Sequence, residues 1–243
     1  MPGAGRTTLD DALATPDAKH RYVRRLFTTI ADRYDLITVL LSFGRDRHWK
    51  RRLATLADAR AGAAALDLAC GTGDIAFELS SRGVRVIGLD VTFRMLQLAR
   101  GKRPPRQGAV TFVGGDMMAL PFADGSFDLV TAGYGIRNAP AIAPALAEVR
   151  RVLRPGGLFL SLDFNRPDSR VVRSVYLAYL TAVGSSLGVA LHGDPDTYRY
   201  IPATIRRYPG AARVAEMAVQ QGFAACEWFP VLGGLMAIHR ARR

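Results

Sequence analysis

Residues 65–74 read Ala65-Leu66-Asp67-Leu68-Ala69-Cys70-Gly71-Thr72-Gly73-Asp74, and a second segment, Val86-Ile87-Gly88-Leu89-Asp90, follows. The first is a short apolar run ending in a glycine-rich turn. The second is an apolar run ending in a carboxylate, nineteen positions after Gly71. This layout predicts a strand–loop–helix–strand unit that binds a nucleoside. Glycine lets the backbone turn sharply and approach a ligand closely. Asp90 can accept hydrogen bonds from ribose hydroxyls, each worth roughly 1.5–3 kcal/mol to a charged acceptor.

The charges decide which nucleoside. Gly71-x-Gly73-x-x-Ala76 formally fits a dinucleotide fingerprint. A pyrophosphate, however, needs bare amides and a positive helix end. Here Asp67 lies near the carboxyl end of the first strand and Asp74 opens the helix. S-adenosylmethionine (SAM) carries no phosphate, and its ammonium and sulfonium groups favour nearby acids. Asp74 also complements the helix dipole. Cys70 reads as a small side chain where bulk would block the ligand.

Outward from this unit the pattern alternates. Strands are expected at 64–69, 84–89, 110–113, 127–132 and 157–163, with helices at 74–82, 92–101 and 141–153. Pro104-Pro105 closes the second helix region, and Arg154-Pro155-Gly156-Gly157 is a strong turn signal. Repeated βαβ units imply an α/β fold with a mostly parallel sheet. A helix at 210–221 and strands at 224–229 and 233–239 close the chain, the last two as antiparallel neighbours. Residues 1–17 read as a flexible tail and 18–243 as one domain. Within that domain, 18–59 form a helical cap broken near Ser42-Phe43-Gly44, and 168–208 an insertion covering the site. From Val171 to Leu191 the apolar residues keep to no single stripe, so this segment is expected to be enclosed or to cover a ligand. Gly184-x-x-x-Gly188 permits close helix packing.

The chain has 243 residues and a net charge of +12. Such an excess favours nucleic acid or anionic lipid. The positives cluster at Lys19–Arg25, Arg45–Arg52, Arg100–Arg106 and Arg240–Arg243 and read as a solvated basic face, without an interleaved aromatic stacking set. Two cysteines far apart give neither a metal spacing nor a disulfide framework. No signal peptide is expected, no uninterrupted apolar stretch reaches the ~20 residues of a membrane span, and the expected location is the cytoplasm.

Three further segments sharpen the picture. Phe27-Thr28-Thr29-Ile30-Ala31-Asp32-Arg33-Tyr34-Asp35-Leu36 with Ser42–Lys50, Gly115–Phe122 through Gly133-Tyr134-Gly135-Ile136-Arg137-Asn138, and Asp194–Pro209 resemble signatures of the ubiquinone/menaquinone biosynthesis C-methyltransferases, within the class I SAM-dependent methyltransferases. The resemblance runs from about Lys19 to Arg240. It implies a Rossmann-like, seven-stranded sheet and transfer of a methyl group from SAM to the ring of a reduced polyprenyl quinone precursor, demethylmenaquinol first and a ubiquinone-pathway benzoquinol close behind. It further implies that Gly71, Thr72 and Gly73 line the methionine end of SAM, that Asp90 holds the ribose, and that Asp116 sits beside the adenine amino group with Met117 against the ring. Two positions depart from the family pattern. Thr38 stands in a region that usually carries asparagine, and Gly133 replaces a serine or threonine, leaving only a backbone contact to SAM there.

Carbon methylation of a quinol needs no metal. The hydroxyl resembles tyrosine's, with a pKa of about 10, and its loss of a proton activates the adjacent ring carbon. Arg137 is the leading catalytic candidate, as a cation for the quinol anion; its other reading is an ion pair with Glu148 or Asp163. Tyr34 and Asp35 are further candidates, closing the site from the amino-terminal helices. His48 reads as a surface or core histidine. The expected partners are a lipophilic quinol, an anionic membrane surface touched peripherally, and a second copy of the chain. The competing acceptors are RNA, motivated by the charge, and another hydrophobic small molecule; no Asp/Asn-Pro-Pro-Tyr motif of amino-group methyltransferases occurs.

Overall fold

A computed structural model describes residues 8–42, 44–102 and 110–243. Pro104-Pro105 and Phe43, at two of the expected breaks, lie outside these, as does part of the Arg100–Arg106 cluster.

Seven strands form one sheet: β1 (Ala64–Leu68), β2 (Arg85–Asp90), β3 (Val110–Gly114), β4 (Phe127–Gly133), β5 (Leu153–Phe164), β6 (Ala225–Val231) and β7 (Met236–Arg242). Their order is β3-β2-β1-β4-β5-β7-β6. The first five are parallel neighbours, and β7 runs antiparallel to both β5 and β6. Strand β1 sits centrally and is buried on both faces, so it reads as an almost continuous apolar run. Its side chains alternate between two cores. Ala65 packs with Trp49, Leu53, Ile75 and Leu79 on one face, while Leu66 and Leu68 pack with Leu146, Val149 and Ala218 on the other.

The helices are α1 (Leu9–Ala12), α2 (Pro16–Ile30), α3 (Tyr34–Leu41), α4 (Asp46–Ala57), α5 (Asp74–Ser80), α6 (Phe93–Gly101), α7 (Ile142–Val152), α8 (Arg170–His192), α9 (Tyr200–Arg207) and α10 (Ala211–Gln220). Helices α2 and α3 lie against the 198–203 region through a third core that contains Leu26, Ile30, Ile37, Tyr198 and Tyr200. This layer roofs the carboxyl ends of the parallel strands, where ligands of α/β sheets bind.

Two expectations need correction. Residues 8–17 are not a loose tail. The Thr8 and Asp11 side chains form a reciprocal capping box around α1, Thr15 caps α2, and Leu13 is buried. Nor is α8 enclosed. Its 23 residues bury Tyr176, Leu177, Leu180, Gly184 and Gly188, a single stripe, while Val171, Val172, Val175 and Val189 face outward. The length and hydropathy of α8 would suffice to cross a membrane, although no uninterrupted apolar run in the sequence is that long. The small residues of that stripe do not meet another helix. A Cβ at Gly184 would lie 3.2 Å from Tyr198 Cβ, so the returning chain packs there.

Candidate active site

The glycine turn is held from both sides. Gly73 caps α5 with φ +86°, and a Cβ there would sit 2.8 Å from the Phe112 ring. Glycine is required at this position twice over, by backbone sign and by space. Ala69 and Tyr134, at the ends of β1 and β4, also adopt positive φ (48° and 59°). Such conformations cost non-glycine residues roughly 1–3 kcal/mol and concentrate at functional sites.

Asp90 lies at the end of β2. Its Oδ2 accepts the Gly71 N–H at 2.8 Å and its Oδ1 the Thr92 N–H at 2.7 Å. Burial pushes the carboxyl up, and these amides oppose that shift. Asp116 turns its own loop, accepting the Met118 N–H at 2.9 Å, and its Oδ2 stands 3.3 Å from His20 Nε2 on α2. Sequence reasoning missed His20, which lies in a basic cluster read as solvated. Asp90, Asp116, Met117, Gly71 and Gly133 line one cavity of about 650 Å³, roofed by His20, Val23 and Phe27 of α2.

Asp67 is deeply buried. Its Oδ1 accepts the Thr131 hydroxyl at 2.7 Å, while Oδ2 has no hydrogen-bond partner among the described residues. Burial raises its pKa to about 7. A carboxylate oxygen left unpaired inside a protein is costly, and this one belongs to a recess lined also by Lys50, Thr72, Asp74 and Tyr134. Asp74 is not the bare acid that its position at the helix start suggested. Lys50 reaches it at 2.9 Å and Lys102 at 2.8 Å. Although burial pushes the Asp74 carboxyl up, the two ammonium groups hold it below its ordinary value. Burial would depress the Lys50 ammonium, but Asp74 and Asp46 outweigh that and hold it above the usual lysine range. The Asp46–Lys50 pair, at 2.6 Å, also accepts the Tyr134 hydroxyl on Asp46 at 2.9 Å.

Asp35 joins this network from α3. It accepts the Thr72 hydroxyl at 2.5 Å and pairs with Lys102 at 2.8 Å. Its side chain is therefore a latch between the helical cap and the glycine turn. Tyr34 packs beside Gly71, its ring 3.7 Å from where a Cβ would stand, and burial pushes its phenol well above the ordinary range.

A second cavity, about 620 Å³, adjoins the first. Phe27, Tyr34, Tyr134 and Asn138 belong to the walls of both. The rest of its lining is mainly apolar, with Leu26, Ile30, Ile37, Leu41, Phe164, Ile201 and Met236. Arg137 lies at its edge, only 4% exposed. Its Nε donates to Asp163 Oδ1 at 3.2 Å, and its backbone N–H donates to Asp163 Oδ2 at 2.9 Å. Nη1 donates to Thr204, and the guanidinium lies over the Phe164 and Tyr200 rings at 5.3 and 6.0 Å. Of the two ion-pair partners weighed from sequence, Asp163 is the one found. Glu148 instead pairs with Arg151 at 2.7 Å. Lys19 pins the same turn, donating to the Arg137 and Ala139 carbonyls at 2.9 and 2.5 Å. His48 is exposed on α4.

At Gly133 a Cβ would lie 2.5 Å from Ile75 Cδ1, so the isoleucine fills the space that a side chain there would need.

Residues 15–243 match the profile of the ubiE/COQ5 methyltransferase family. The demethylmenaquinone methyltransferase of Thermus thermophilus is 40% identical over 216 residues, spanning 88% of this chain and 98% of that protein. The ubiquinone/menaquinone biosynthesis C-methyltransferase of Methylobacterium nodulans is 41% identical over 229 residues, spanning 92% and 91%. Among solved structures, a SAM-dependent methyltransferase of Thermotoga maritima aligns with TM-score 0.65 at 16% identity, covering 90% of this chain and 99% of that one. One from Aquifex aeolicus aligns with TM-score 0.55 at 13% identity, covering 93% and 97%. The structural likeness speaks for the Rossmann-like fold, and the sequence likeness, spanning nearly the whole chain, for the kinship: the chain belongs to the ubiE/COQ5 methyltransferase family.

Proposed function

We propose that the chain methylates a ring carbon of a reduced polyprenyl quinone precursor with SAM, and that the acceptor is a demethylated naphthoquinol. The observation that carries this is the pair of adjoining cavities. One has the carboxylates of Asp90 and Asp116 and opens toward the recess of Asp67; the other is mainly apolar; they share Phe27, Tyr34, Tyr134 and Asn138. The name of the relative in Thermus favours the naphthoquinol ring.

SAM supplies an electrophilic methyl group on a sulfonium. The residues present suit it. The unpaired Asp67 oxygen answers an ammonium, Lys50 a carboxylate, Asp90 a ribose, and Asp116 with Met117 an adenine. Gly71, Thr72 and Gly73 form the turn that brings backbone close to the ligand, and Gly133 offers backbone only. The chain's further work is to align the acceptor carbon, which can lower a barrier by up to roughly 7–11 kcal/mol, and to favour the quinol anion. Arg137 provides a fixed positive edge for that anion, but it stays protonated and is no base. Tyr34 separates and packs both co-substrates, and Asp35 closes the cap. Nothing in these steps requires a metal.

The tail of a polyprenyl quinol needs an apolar exit. A groove of about 800 Å³ between α8 and the turn before β7 is lined by Val171, Val172, Val175, Tyr176, Tyr179 and Leu235. Its walls share one apolar cluster with Phe164 and Ile201 of the ring cavity. Exposed Leu36, Val39 and Leu40 on α3 and the outward valines of α8 suit contact with a bilayer, with the +12 charge favouring anionic lipid.

The test is labelled SAM with reduced short-tail analogues of both ring types. Label in the naphthoquinol supports the reading; label only in the benzoquinol overturns the ring assignment, and label in neither overturns the function. Co-sedimentation with anionic but not zwitterionic vesicles, weakening with salt, supports the membrane contact. Equal binding to both overturns it.

A further inference from the structure

A quinol must lose a proton before its ring carbon becomes a good nucleophile, and a mainly apolar cavity offers few places for that proton. Three of the seven hydroxyls on the ring cavity are committed to the fold. Thr38 donates to the Tyr34 carbonyl at 2.9 Å, Ser42 to the Val39 carbonyl at 3.1 Å, and Tyr200 to Asn138 Oδ1 at 2.8 Å. Two are hydrogen-bonded to a titratable side chain: Tyr134 to Asp46, and Tyr198 to His192 Nε2 at 2.8 Å. Asp46 already holds the Lys50 ammonium at 2.6 Å, so protonating it would break a buried ion pair. His192 has no such engagement with an acid among the described residues.

The placement of the second pair follows from the chain. His192 ends the 23-residue α8, and Gly193 reverses the backbone in the left-handed region (φ +68°). The returning segment lies directly on α8, because a Cβ at Gly188 would collide with the Asp194 carbonyl. Tyr198 is thereby laid against the last turns of the helix. It is 1% exposed and lines the ring cavity, whereas His192 is half-buried and reaches water.

We propose that Tyr198 and His192 form the proton exit of the ring cavity. This rests on the quinol reading above. With the imidazole in its Nδ1–H tautomer, the Tyr198 O–H bond breaks and its proton joins His192 Nε2. In the same step Tyr198 Oη takes the proton of the substrate hydroxyl. The products are a quinolate and an imidazolium, with Tyr198 neutral again; the imidazolium then releases its Nδ1 proton to water, and proton exchange with water returns the neutral ring to its Nδ1–H tautomer before the next turnover. Burial, then the charge of Arg33, holds the His192 imidazole below its ordinary value, so it stands neutral and ready at neutral pH. Burial pushes the Tyr198 phenol up to about 12, which favours a concerted transfer over a free tyrosinate. Arg33 also donates to the Leu191 carbonyl, and it and Tyr198 are the titratable groups that face His192 among the described residues. The carboxyl end of α8 favours the imidazolium once formed.

The experiment compares the wild-type chain with His192→Gln and Tyr198→Phe, using SAM and a reduced short-tail demethylated naphthoquinol or benzoquinol. A relay role predicts that kcat falls about a hundredfold or more in each variant, while KM for the quinol and calorimetric affinity for SAM stay within about twofold of wild type. It also predicts that the acid limb of the kcat–pH profile disappears in His192→Gln. NMR titration of the His192 imidazole, with S-adenosylhomocysteine present, gives a readout independent of turnover. Adding the quinol shifts the titration in wild type and not in Tyr198→Phe. An unchanged acid limb in His192→Gln, or a rise in KM at constant kcat, overturns the relay. A wild-type chain that methylates neither ring overturns the quinol reading itself, and the relay with it.

Discussion

Asp163 holds Arg137 at two points, the backbone N–H at 2.9 Å and Nε at 3.2 Å, and both side chains are almost fully buried. One carboxylate thus sets the turn that carries the guanidinium as well as its direction. The pair separates two roles that a single substitution would confuse. Arg137→Ala leaves Asp163 buried without its partner, which typically costs about 3–5 kcal/mol. Arg137→Ala with Asp163→Asn removes the orphan charge and should recover most of the melting temperature. Methyl transfer should stay at least about a hundredfold below wild type in both, with calorimetric SAM affinity unchanged. Recovery of turnover in the double variant would show the arginine to be structural only.

Asp67 makes SAM binding depend on pH. Its pKa is raised to about 7 by burial, so in the free protein the carboxyl is largely protonated at pH 6 and ionised at pH 8. A cationic ligand group selects the ionised form. Affinity for SAM should therefore rise about tenfold between pH 6 and 8, and Asp67→Asn should bind more weakly with a flat profile. The same carboxyl affects stability with the opposite sign. A raised pKa means that the folded state binds more protons than the unfolded one between about pH 4 and 7, so its contribution declines as pH climbs through that window. Calorimetric titrations at several pH values check the first effect. An equal slope in Asp67→Asn would exclude this carboxyl as its source.

His239 sets an acid limit on the fold. It is 1% exposed, with Nδ1 at 3.2 Å from the Ser161 hydroxyl and Nε2 at 3.0 Å from the Ala211 carbonyl. Burial lowers its pKa. The unfolded chain then takes the proton first on acidification, so stability is full above the unfolded value of about 6.5 and is lost as pH falls below it. Chemical denaturation of wild type from pH 7.5 to 5 should show this loss at up to about 1.4 kcal/mol per pH unit. His239→Gln should show a shallower slope over the same range, at some cost in stability at pH 7.5.

The latch at Asp35 predicts a binding phenotype. Its ties to Thr72 and Lys102 are partly exposed, and such pairs contribute only about 0–1 kcal/mol to stability. Asp35→Asn should thus leave the melting temperature within a few degrees of wild type. Because α2 and α3 roof the SAM cavity, the variant should release SAM about three- to fivefold faster, with kcat within about twofold. Stopped-flow displacement of SAM measures this directly. A hundredfold fall in kcat would return Asp35 to the chemistry.

Much of this is legible in the amino-acid sequence. The turn at Gly71–Gly73 and the carboxylate of Asp90 pinned five parallel strands, whose ends fall within a few residues of those expected, apart from an earlier start for β5. Alternation of apolar residues along buried strands is a local property and survives into the fold. Burial of charge is not local. Lys50 and Lys19 sat in stretches counted as solvated, yet one lies in the recess of Asp67 and the other fixes the Arg137 turn. A signal was present at α4: Asp46, Trp49, Lys50 and Leu53 share one helical face, and a lysine flanked by tryptophan and leucine needs a buried acid. Of the two readings of α8, enclosure fails, because scattered apolar residues look the same whether the neighbour is protein core or solvent, lipid or substrate. The pairing of Tyr198 with His192 depends on how the chain doubles back, which no periodicity reports.

Gly133 offers a last test of how the two cavities are partitioned. A serine there would add a hydroxyl beside the SAM cavity but drive its Cβ to 2.5 Å from Ile75 Cδ1. Overpacking of this kind costs about 1–3 kcal/mol. Because the clashing atom is the flexible end of Ile75, removing one methyl should relieve it. Gly133→Ser alone should lower the melting temperature and weaken SAM binding, since Ile75 also lines the Asp67 recess. Gly133→Ser with Ile75→Val should recover both, and with the hydroxyl now beside the ligand it should bind SAM at least as tightly as wild type. Thermal denaturation and calorimetry of the two variants decide it. If the valine does not help, the glycine is required by something other than the isoleucine it faces.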